Sequence, residues 1–330
     1  MKDKIYQLDW KDKKILQELD LNARQSFSKI AKNTRISKQT LIYRVNNLID
    51  KKIIKKFITF IDIQKLGYTF YDIFFKVKYC SKNEEKAIID QIKKMSEVGW
   101  FVSSRGEWKV IVCVMAKSPK EFNKILERVL EVLSEKVLSY EFFIVINASQ
   151  LPYQKIYENY PEKIIKQTYL GKKQDIELNN LDLKILNRLA KDARATKKEI
   201  ADKTDSTIEQ VRYSLKKLEK SGIIQAYKPL IDIKNIGYLW HIMLIQFHYC
   251  QEKRKQEFIT FLKNQPQVFY IVNGVGNWGL MVEFHTKDFD ELSNIQNLIR
   301  SKFEEIIRDE RTMQVLKEHK CVFFPEQLIV

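Results

Sequence analysis

Two stretches of this chain spell the same pattern in the same order. Asp12-Lys13-Lys14-Ile15-Leu16 returns as Asp182-Leu183-Lys184-Ile185-Leu186, Ala23-Arg24 as Ala193-Arg194, Ile30-Ala31 as Ile200-Ala201, and Ile61-Asp62-Ile63 as Ile231-Asp232-Ile233, always 170 positions later, as from Asp12 to Asp182. The register continues through Gly67-Tyr68 and Gly237-Tyr238, Tyr79-Cys80 and Tyr249-Cys250, and Gly106 with Trp108 against Gly276 with Trp278. A unit of that size is far longer than a solenoid repeat of about 20–50 residues. The 330 residues therefore read as one two-part unit written twice, and every candidate site has a counterpart to be judged against.

Charge follows the repeat. Residues 1–66 hold 16 Lys/Arg and 7 Asp/Glu, a net +9, and residues 171–236 hold 15 and 10, a net +5. The formal charge of the whole chain is +16, so the remaining residues contribute only +2. Positive charge concentrated in the first part of each unit is the footprint expected of a surface that meets a polyanion. With 45% hydrophobic residues, 15 Tyr and 19 Phe, disordered and low-complexity classes are excluded. No apolar run approaches the roughly 18 residues of a membrane span, and Met1-Lys2-Asp3-Lys4 opens into charge, which leads us to expect a cytoplasmic protein. Cys80, Cys113, Cys250 and Cys321 have no paired short spacing, so the expectation is no metal, no disulfide framework and no cofactor.

Hydrophobic spacing divides each unit in two. Ile15, Leu16 and Leu19 behind Asp12 predict a first helix, 26–33 a second, and 37–48 a third, with Ser37 as its cap and Leu41, Val45 and Leu48 as its buried stripe. Three short helices with a tight turn before the last make a helix-turn-helix. The β-branched and aromatic stretch from Ile53 to Ile61 predicts a strand pair, a wing beside the bundle. Beyond it strands and helices alternate: strands at 71–79, 100–104, 109–115 and 141–146 and helices at 84–95 and 120–133, an order repeated in the second copy. This βαββαβ order predicts an antiparallel sheet with helices on one face, a ferredoxin-like α+β domain whose other face needs a cover. The expected domains are a winged helix over 1–66, a ferredoxin-like domain over 67–147, an aromatic spacer over 148–177 packed on one of the sheets, a second winged helix over 178–236 and a second ferredoxin-like domain over 237–330.

The residues named above, together with Leu8-Asp9, Ser37 with Thr40, Arg44-Val45, Leu48, Ile53-Ile54 and Leu66-Gly67, resemble the Lrp/AsnC family of transcription regulators in both halves of the chain. The resemblance implies an N-terminal winged helix that binds double-stranded DNA, joined to a ligand-sensing and dimerising domain of RAM type. It further implies that the sensing domains pair, here within one chain, with further homo-oligomers open. A reading helix in a major groove needs short polar groups at its leading end for base edges and basic groups beyond for phosphates. Ser37, Lys38, Gln39 and Thr40 suit the first role, and Arg44, Lys51, Lys52, Lys55 and Lys56 the second. In copy two Thr207, Gln210, Arg212, Lys216 and Lys217 are the candidates, but Ser214 replaces Arg44, and Asp205 and Glu209 bring acid to the leading end. The second reader is expected to bind more weakly, to read a different half-site, or to be mainly structural.

The family also implies an amino-acid effector at a glycine turn between the second and third strands of the sensing domain. The matching residues are Gly106, Glu107 and Trp108 in copy one and Gly276, Asn277 and Trp278 in copy two; the family's aspartate after the aromatic is replaced by Lys109 and Gly279. Either Glu107 substitutes, or the small molecule differs, or the turn is purely structural. Two other classes stay open. Fused haem-precursor (sirohaem-type) decarboxylases resemble the same two-half plan, and would need His, Tyr and Arg about a tetrapyrrole; the four histidines, His241, His248, His285 and His319, all lie in copy two. A ligand-binding scaffold that no longer touches DNA is the third. No nucleophile triad, phosphate loop or metal cluster is present, so no enzyme is expected.

Overall fold

The computed structural model describes residues 5–157, 167–168, 177–325 and 328. Each copy begins with three helices, α1 (Trp10–Leu21), α2 (Phe27–Thr34) and α3 (Lys38–Asp50) in the first, α6 (Asn180–Lys191), α7 (Lys197–Thr204) and α8 (Ile208–Lys220) in the second. The turns before α3 and α8 are made by Arg35 and Asp205, both in the left-handed region at φ 57° and 50°. Ser37 and Thr207 then accept the backbone N–H three residues on, satisfying a donor the helix leaves unpaired.

The wing departs from the expected strand pair within each copy. Each copy supplies one strand, β1 (Ile54–Ile61) and β7 (Ile224–Ile231), and the two pair antiparallel with each other, Phe57 opposite Pro229 and Thr59 opposite Tyr227. The sequence pattern records only that a strand needs a ladder partner; it does not record which chain segment supplies one. Around this ribbon the copies interlock. Thr59 Oγ1 donates to the carbonyl of Leu189 in α6 (2.8 Å), and the Ala23 and Ala193 N–H groups donate to Tyr227 and Phe57 across the joint. The repeated Ala-Arg pair marks the same joint. Arg24 Nη1 donates to the carbonyls of Ala193 and Ala195 (2.6 and 2.9 Å), Arg194 donates to that of Ala23, and its guanidinium lies 4.3 Å from the Phe27 ring centre. One apolar core runs through both helical bundles, from Ile15, Leu41 and Leu48 to Ile185, Val211 and Leu218.

The sensing halves also join edge to edge. Copy one contributes β2 (Thr69–Val77), α4 (Lys82–Lys94), β3 (Val98–Arg105), β4 (Val110–Ala116), α5 (Pro119–Leu133) and β5 (Val137–Gln150). After a two-residue strand β6 (Gln167–Thr168), copy two contributes β8 (Leu239–Phe247), α9 (Glu252–Lys263), β9 (Val268–Gly276), β10 (Leu280–Thr286), α10 (Phe289–Phe303) and β11 (Ile307–Cys321). Within each copy the order is that of a ferredoxin-like sheet. β3 then pairs β11, β9 pairs β5, and β5 pairs β2, so that eight strands close into a ring. Period-two alternation gives each strand two jobs. Val112 and Val114 of β4 face α4 and α5, and Val282 and Phe284 of β10 face α9 and α10, while Cys113 and Met281 line the interior shared by both copies.

One domain limit shifts. β5 runs to Gln150, past the expected boundary at 147, because its last residues keep pairing with β9. Of the aromatic spacer, Tyr153, Ile156 and Tyr157 are buried in the core of the helical bundles, and Tyr157 Oη donates to the Leu16 carbonyl at 3.3 Å. Tyr160 and Pro161 lie outside the described residues.

Candidate nucleic-acid interface

α3 and α8 carry the expected reading faces, and their side chains divide into those turned outward and those already engaged. Lys38 and Gln39 are exposed at the head of α3, with Lys51 and Lys52 exposed beyond its end. Ser37 Oγ donates to Thr40 Oγ1 (2.8 Å) while accepting the Thr40 N–H (3.2 Å), so both hydroxyls serve the helix start. Thr207 and Gln210 form the equivalent capping box, with Gln210 Oε1 accepting the Thr207 N–H at 2.8 Å.

Four of the expected phosphate contacts are corrected. Arg44 is held by Asp9 (2.7 Å) and by buried Asp12 (2.8 Å), which also accepts the Tyr6 hydroxyl; it ties α3 to α1 and is not free for phosphate. Copy two keeps this tie with other residues: Asp182 takes the Ser214 hydroxyl and Lys217 Nζ (2.7 Å), and Lys217 also reaches the Glu177 carbonyl, so Lys217 leaves the phosphate list too. Lys55 lies against Asp232 (3.2 Å) and Glu318 (3.6 Å), and Lys56 Nζ donates to the Cys321 carbonyl at 2.7 Å. Both lysines sit on β1, and its pairing with β7 turns them toward the sensing barrel. Arg212 is exposed but bound to Glu209 at 2.6 Å, and Lys216 is exposed.

Tyr43 and Tyr213 are the residues that sequence reasoning passed over. They are 72% and 75% exposed, in the same register of α3 and α8, four residues after Gln39 and Glu209 and therefore on the same helix face. The signal was available: both belong to the 170-residue register, and an aromatic kept outward in two copies has no core to serve. A ring of this kind, exposed on a helix face, can stack on a sugar or meet a thymine methyl.

The two glycine turns, far apart in the sequence, come together. Glu107 and Trp108 share with Asn277 and Trp278 the wall of one cavity of about 180 Å³, completed by Glu141, Gln246, Asp309 and Arg311. Gly106 and Gly276 are at φ +143° and +149°, and a side chain at Gly276 would lie 2.6 Å from the Phe142 carbonyl, so the turn itself requires glycine. Trp278 Nε1 donates to Glu141 (2.6 Å), Glu107 meets Arg311 at 3.3 Å, and the buried Trp108 N–H has no acceptor among the described residues. Where the family's aspartate is missing, Glu107, Glu141 and Asp309 supply carboxylates to the same space.

A second cavity, also of about 180 Å³, lies between the barrel and the β1–β7 ribbon and was not anticipated. Its wall is mainly apolar and aromatic, including Trp100, Trp240 and Tyr270, but holds the carboxylates of Asp72, Glu283 and Glu318. Burial drives all three upward, Asp72 to about 6 and Glu283 to about 8. His285, stacked on Tyr153 and Phe269, is pushed down to about 3 by burial and by nearby His241, and stays neutral.

This arrangement defines a class: tandem proteins with a joined pair of winged helices on a closed pair of ferredoxin-like domains. A winged helix-turn-helix DNA-binding family model matches residues 8–55 and 178–225, one match per copy. An uncharacterised HTH-type transcriptional regulator of Pyrococcus furiosus is 31% identical over 128 residues, which span 38% of this chain and 85% of that protein. The HTH-type transcriptional regulator FL11 of Pyrococcus horikoshii is 28% identical over 147 residues, 44% of this chain and 93% of that one. Nearly the whole of each relative fits within less than half of this chain, as two copies of one unit require. Across its full length the fold is similar to the crystal structure of the siroheme decarboxylase NirDL, with a TM-score of 0.59 at 13% identity, covering 96% of this chain and 94% of that one. The chain belongs to the Lrp/AsnC family of HTH-type transcription regulators, in a tandem form. Among the described residues no helix is long and apolar enough to cross a membrane.

Proposed function

We propose that this chain is a sequence-specific DNA-binding transcription regulator, acting in the cytoplasm, in which one molecule carries the pair of readers that a single-copy relative must obtain by dimerising. The observation that carries this reading is the β1–β7 ribbon with its crossed Arg24 and Arg194 contacts, which fixes α3 relative to α8 within one chain. Lys38, Gln39 and Tyr43 meet base edges in this reading, with Lys51 and Lys52 on phosphates. Gln39→Ala is expected to relax sequence preference, whereas Lys51→Ala and Lys52→Ala should weaken every duplex about equally and lower the slope of log affinity against log salt by about one each. Lys55→Ala, whose side chain is paired with Asp232 and Glu318, should leave that slope unchanged. Electrophoretic mobility shifts over a salt series read all four variants, and an unchanged sequence preference in Gln39→Ala would remove α3 as the reader.

The second reader is the weaker one. Its leading end presents Asp205, Ile208 and Glu209 where copy one has Arg35, Lys38 and Gln39, and carboxylates repel phosphate. Glu209→Gln removes one such charge and frees Arg212, so DNA affinity should rise several-fold at low salt and less at high salt. A fall in affinity would instead show that Glu209 accepts from a base.

The cavity shared by the two glycine turns is the effector site in this reading, with its three carboxylates offered to an ammonium group. The fold of a siroheme decarboxylase keeps an enzymatic reading in view, but Asp72, Glu283 and Glu318 put carboxylates into the ribbon cavity, no arginine among the described residues lines it, and of its three lysines Lys55 is paired with Asp232 and Glu318 and Lys234 donates to the Leu316 carbonyl, leaving Lys317. Regulation, not decarboxylation, is what the chemistry of the chain supports.

A further inference from the structure

The ribbon cavity holds a combination of groups that a folded core alone would not select. Burying an ionisable carboxylate in an apolar wall costs several kcal/mol unless it is paired, and the usual remedy is an arginine or lysine partner. Glu318 has that remedy: Lys55 lies 3.6 Å away and the Trp100 indole N–H donates to it at 3.1 Å. Asp72 and Glu283 do not. Glu283 accepts the Trp240 indole N–H at 2.9 Å, and Asp72 is bonded by the Cys113 thiol; neither forms an ion pair among the described residues. A carboxylate has room for about four hydrogen bonds, so both have acceptor capacity to spare. They stand 2% and 6% exposed, in a wall that includes Trp100, Trp240, Tyr270, Val272 and Met281 and, from the ribbon side and β11, Lys55, Lys234 and Lys317.

Neither acid is a relic of the repeat. The positions related to Asp72 and Glu283 by the 170-residue register are Ile242 and Cys113, so each copy carries one acid where the other has an uncharged residue. Both line the same cavity and the charge of Asp72 adds to what raises Glu283, so the two acids approach one region of the barrel from opposite copies.

We propose that this cavity binds a small, flat, apolar molecule bearing an amino group, its ammonium against Asp72 and Glu283 and its ring among Trp100, Trp240 and Tyr270. The size fits: an apolar cavity of about 150 Å³ accepts benzene, and this one has about 180 Å³ with polar groups at one side. The indole faces add attraction for a cation. The site is separate from the glycine-turn cavity and its lining residues are different. Ile58, Phe60, Leu230 and Ile231 of the ribbon form part of its wall, so an occupant touches both the sensing barrel and the strands that join the two readers.

The test uses three probes with the same three-carbon chain, 3-phenylpropan-1-amine, 3-phenylpropan-1-ol and 3-phenylpropionate, titrated into the full chain at pH 7 and followed by tryptophan fluorescence and calorimetry. The amine should bind most tightly, the alcohol more weakly and the carboxylate least. Asp72→Asn with Glu283→Gln, near-isosteric changes that leave no group able to ionise against an ammonium, should weaken the amine about tenfold or more and leave the alcohol within about twofold. Ala148→Leu, which fills the cavity without altering a charge, should weaken both. Equal or tighter binding of the carboxylate, an amine affinity unmoved by the double variant, or no binding of any of the three at about 10 mM would overturn the proposal. DNA affinity without added amine is measured in parallel, so failure of this site is read independently of the DNA-binding reading.

Discussion

Glu283→Gln should stabilise the protein, and more so as the pH rises. The Glu283 carboxyl is held up to about 8 by burial first, with the charges of Glu318 and Asp72 adding to it, while in an unfolded chain it ionises near its ordinary value of 4.5. Between those two limits the folded state binds a proton that the unfolded state has released, so stability falls with rising pH across that window. Below about pH 4.5 the carboxyl is neutral in both states and costs nothing. Above about pH 8 it is ionised in both, and the folded state carries the full penalty, about 5 kcal/mol. Glutamine keeps an acceptor for the Trp240 indole and has no charge to bury. The melting temperatures of the two proteins should coincide near pH 4.5 and separate by roughly 5–10 °C at pH 8.5. His285 works on the other limb. Its folded value of about 3 lies below the ordinary 6.5, so the unfolded state binds the extra proton and stability is lost as pH falls through that range in both proteins. A gap between them that did not change with pH would mean that Glu283 is solvated in the folded state.

How much of this was legible in the sequence depends on the range of the interaction concerned. The capped helices were legible because Ser37 and Thr207 act within three residues of themselves, and the βαββαβ order because alternation and turn residues are local. The fate of Ile54–Ile61 was not. A strand pattern states which faces are apolar and leaves its partner open, and here the partner is the other copy's strand, 170 residues away. From that one difference follow the misplaced lysines. Lys55 and Lys56 look like free charges beside a wing until the ribbon forms and turns them onto Asp232, Glu318 and the Cys321 carbonyl. Arg44 was misassigned for a related reason: its partners Asp9 and Asp12 lie on the preceding helix and its cap, where a charge count registers them only as neutralising. The acids of the ribbon cavity could not have been grouped at all, since Asp72, Glu283 and Glu318 come from three strands of two copies.

The same joint supplies the other large effect. Lys228 of β7 meets Asp20 of α1 at 3.2 Å, a copy-two cation on a copy-one anion, with side-chain exposures of 6% and 0%. At this burial the attraction between the charges is largely offset by what each loses on leaving water, so the pair is a poor source of net stability. Removing one partner is different, because it strands the other. Lys228→Ile or Asp20→Ala should each cost about 3–5 kcal/mol. The chain itself contains the control. At the positions related by the repeat stand Ala190 and Ile58, both buried and both apolar, so the second side of the joint is closed without any charge. Copying that solution, Asp20→Ala with Lys228→Ile, should recover most of the loss seen in either single change, a coupling that a thermal double-mutant cycle reads directly. The pair also spans the contact that sets one reader against the other. If both readers engage, the single variants should lose affinity for a two-site duplex by more than for a duplex carrying one site, because a loosened joint lowers the effective concentration of the second reader. The double variant should restore the two-site advantage. Restored melting without restored two-site binding would show that the charge pair sets the angle of the joint as well as holding it closed.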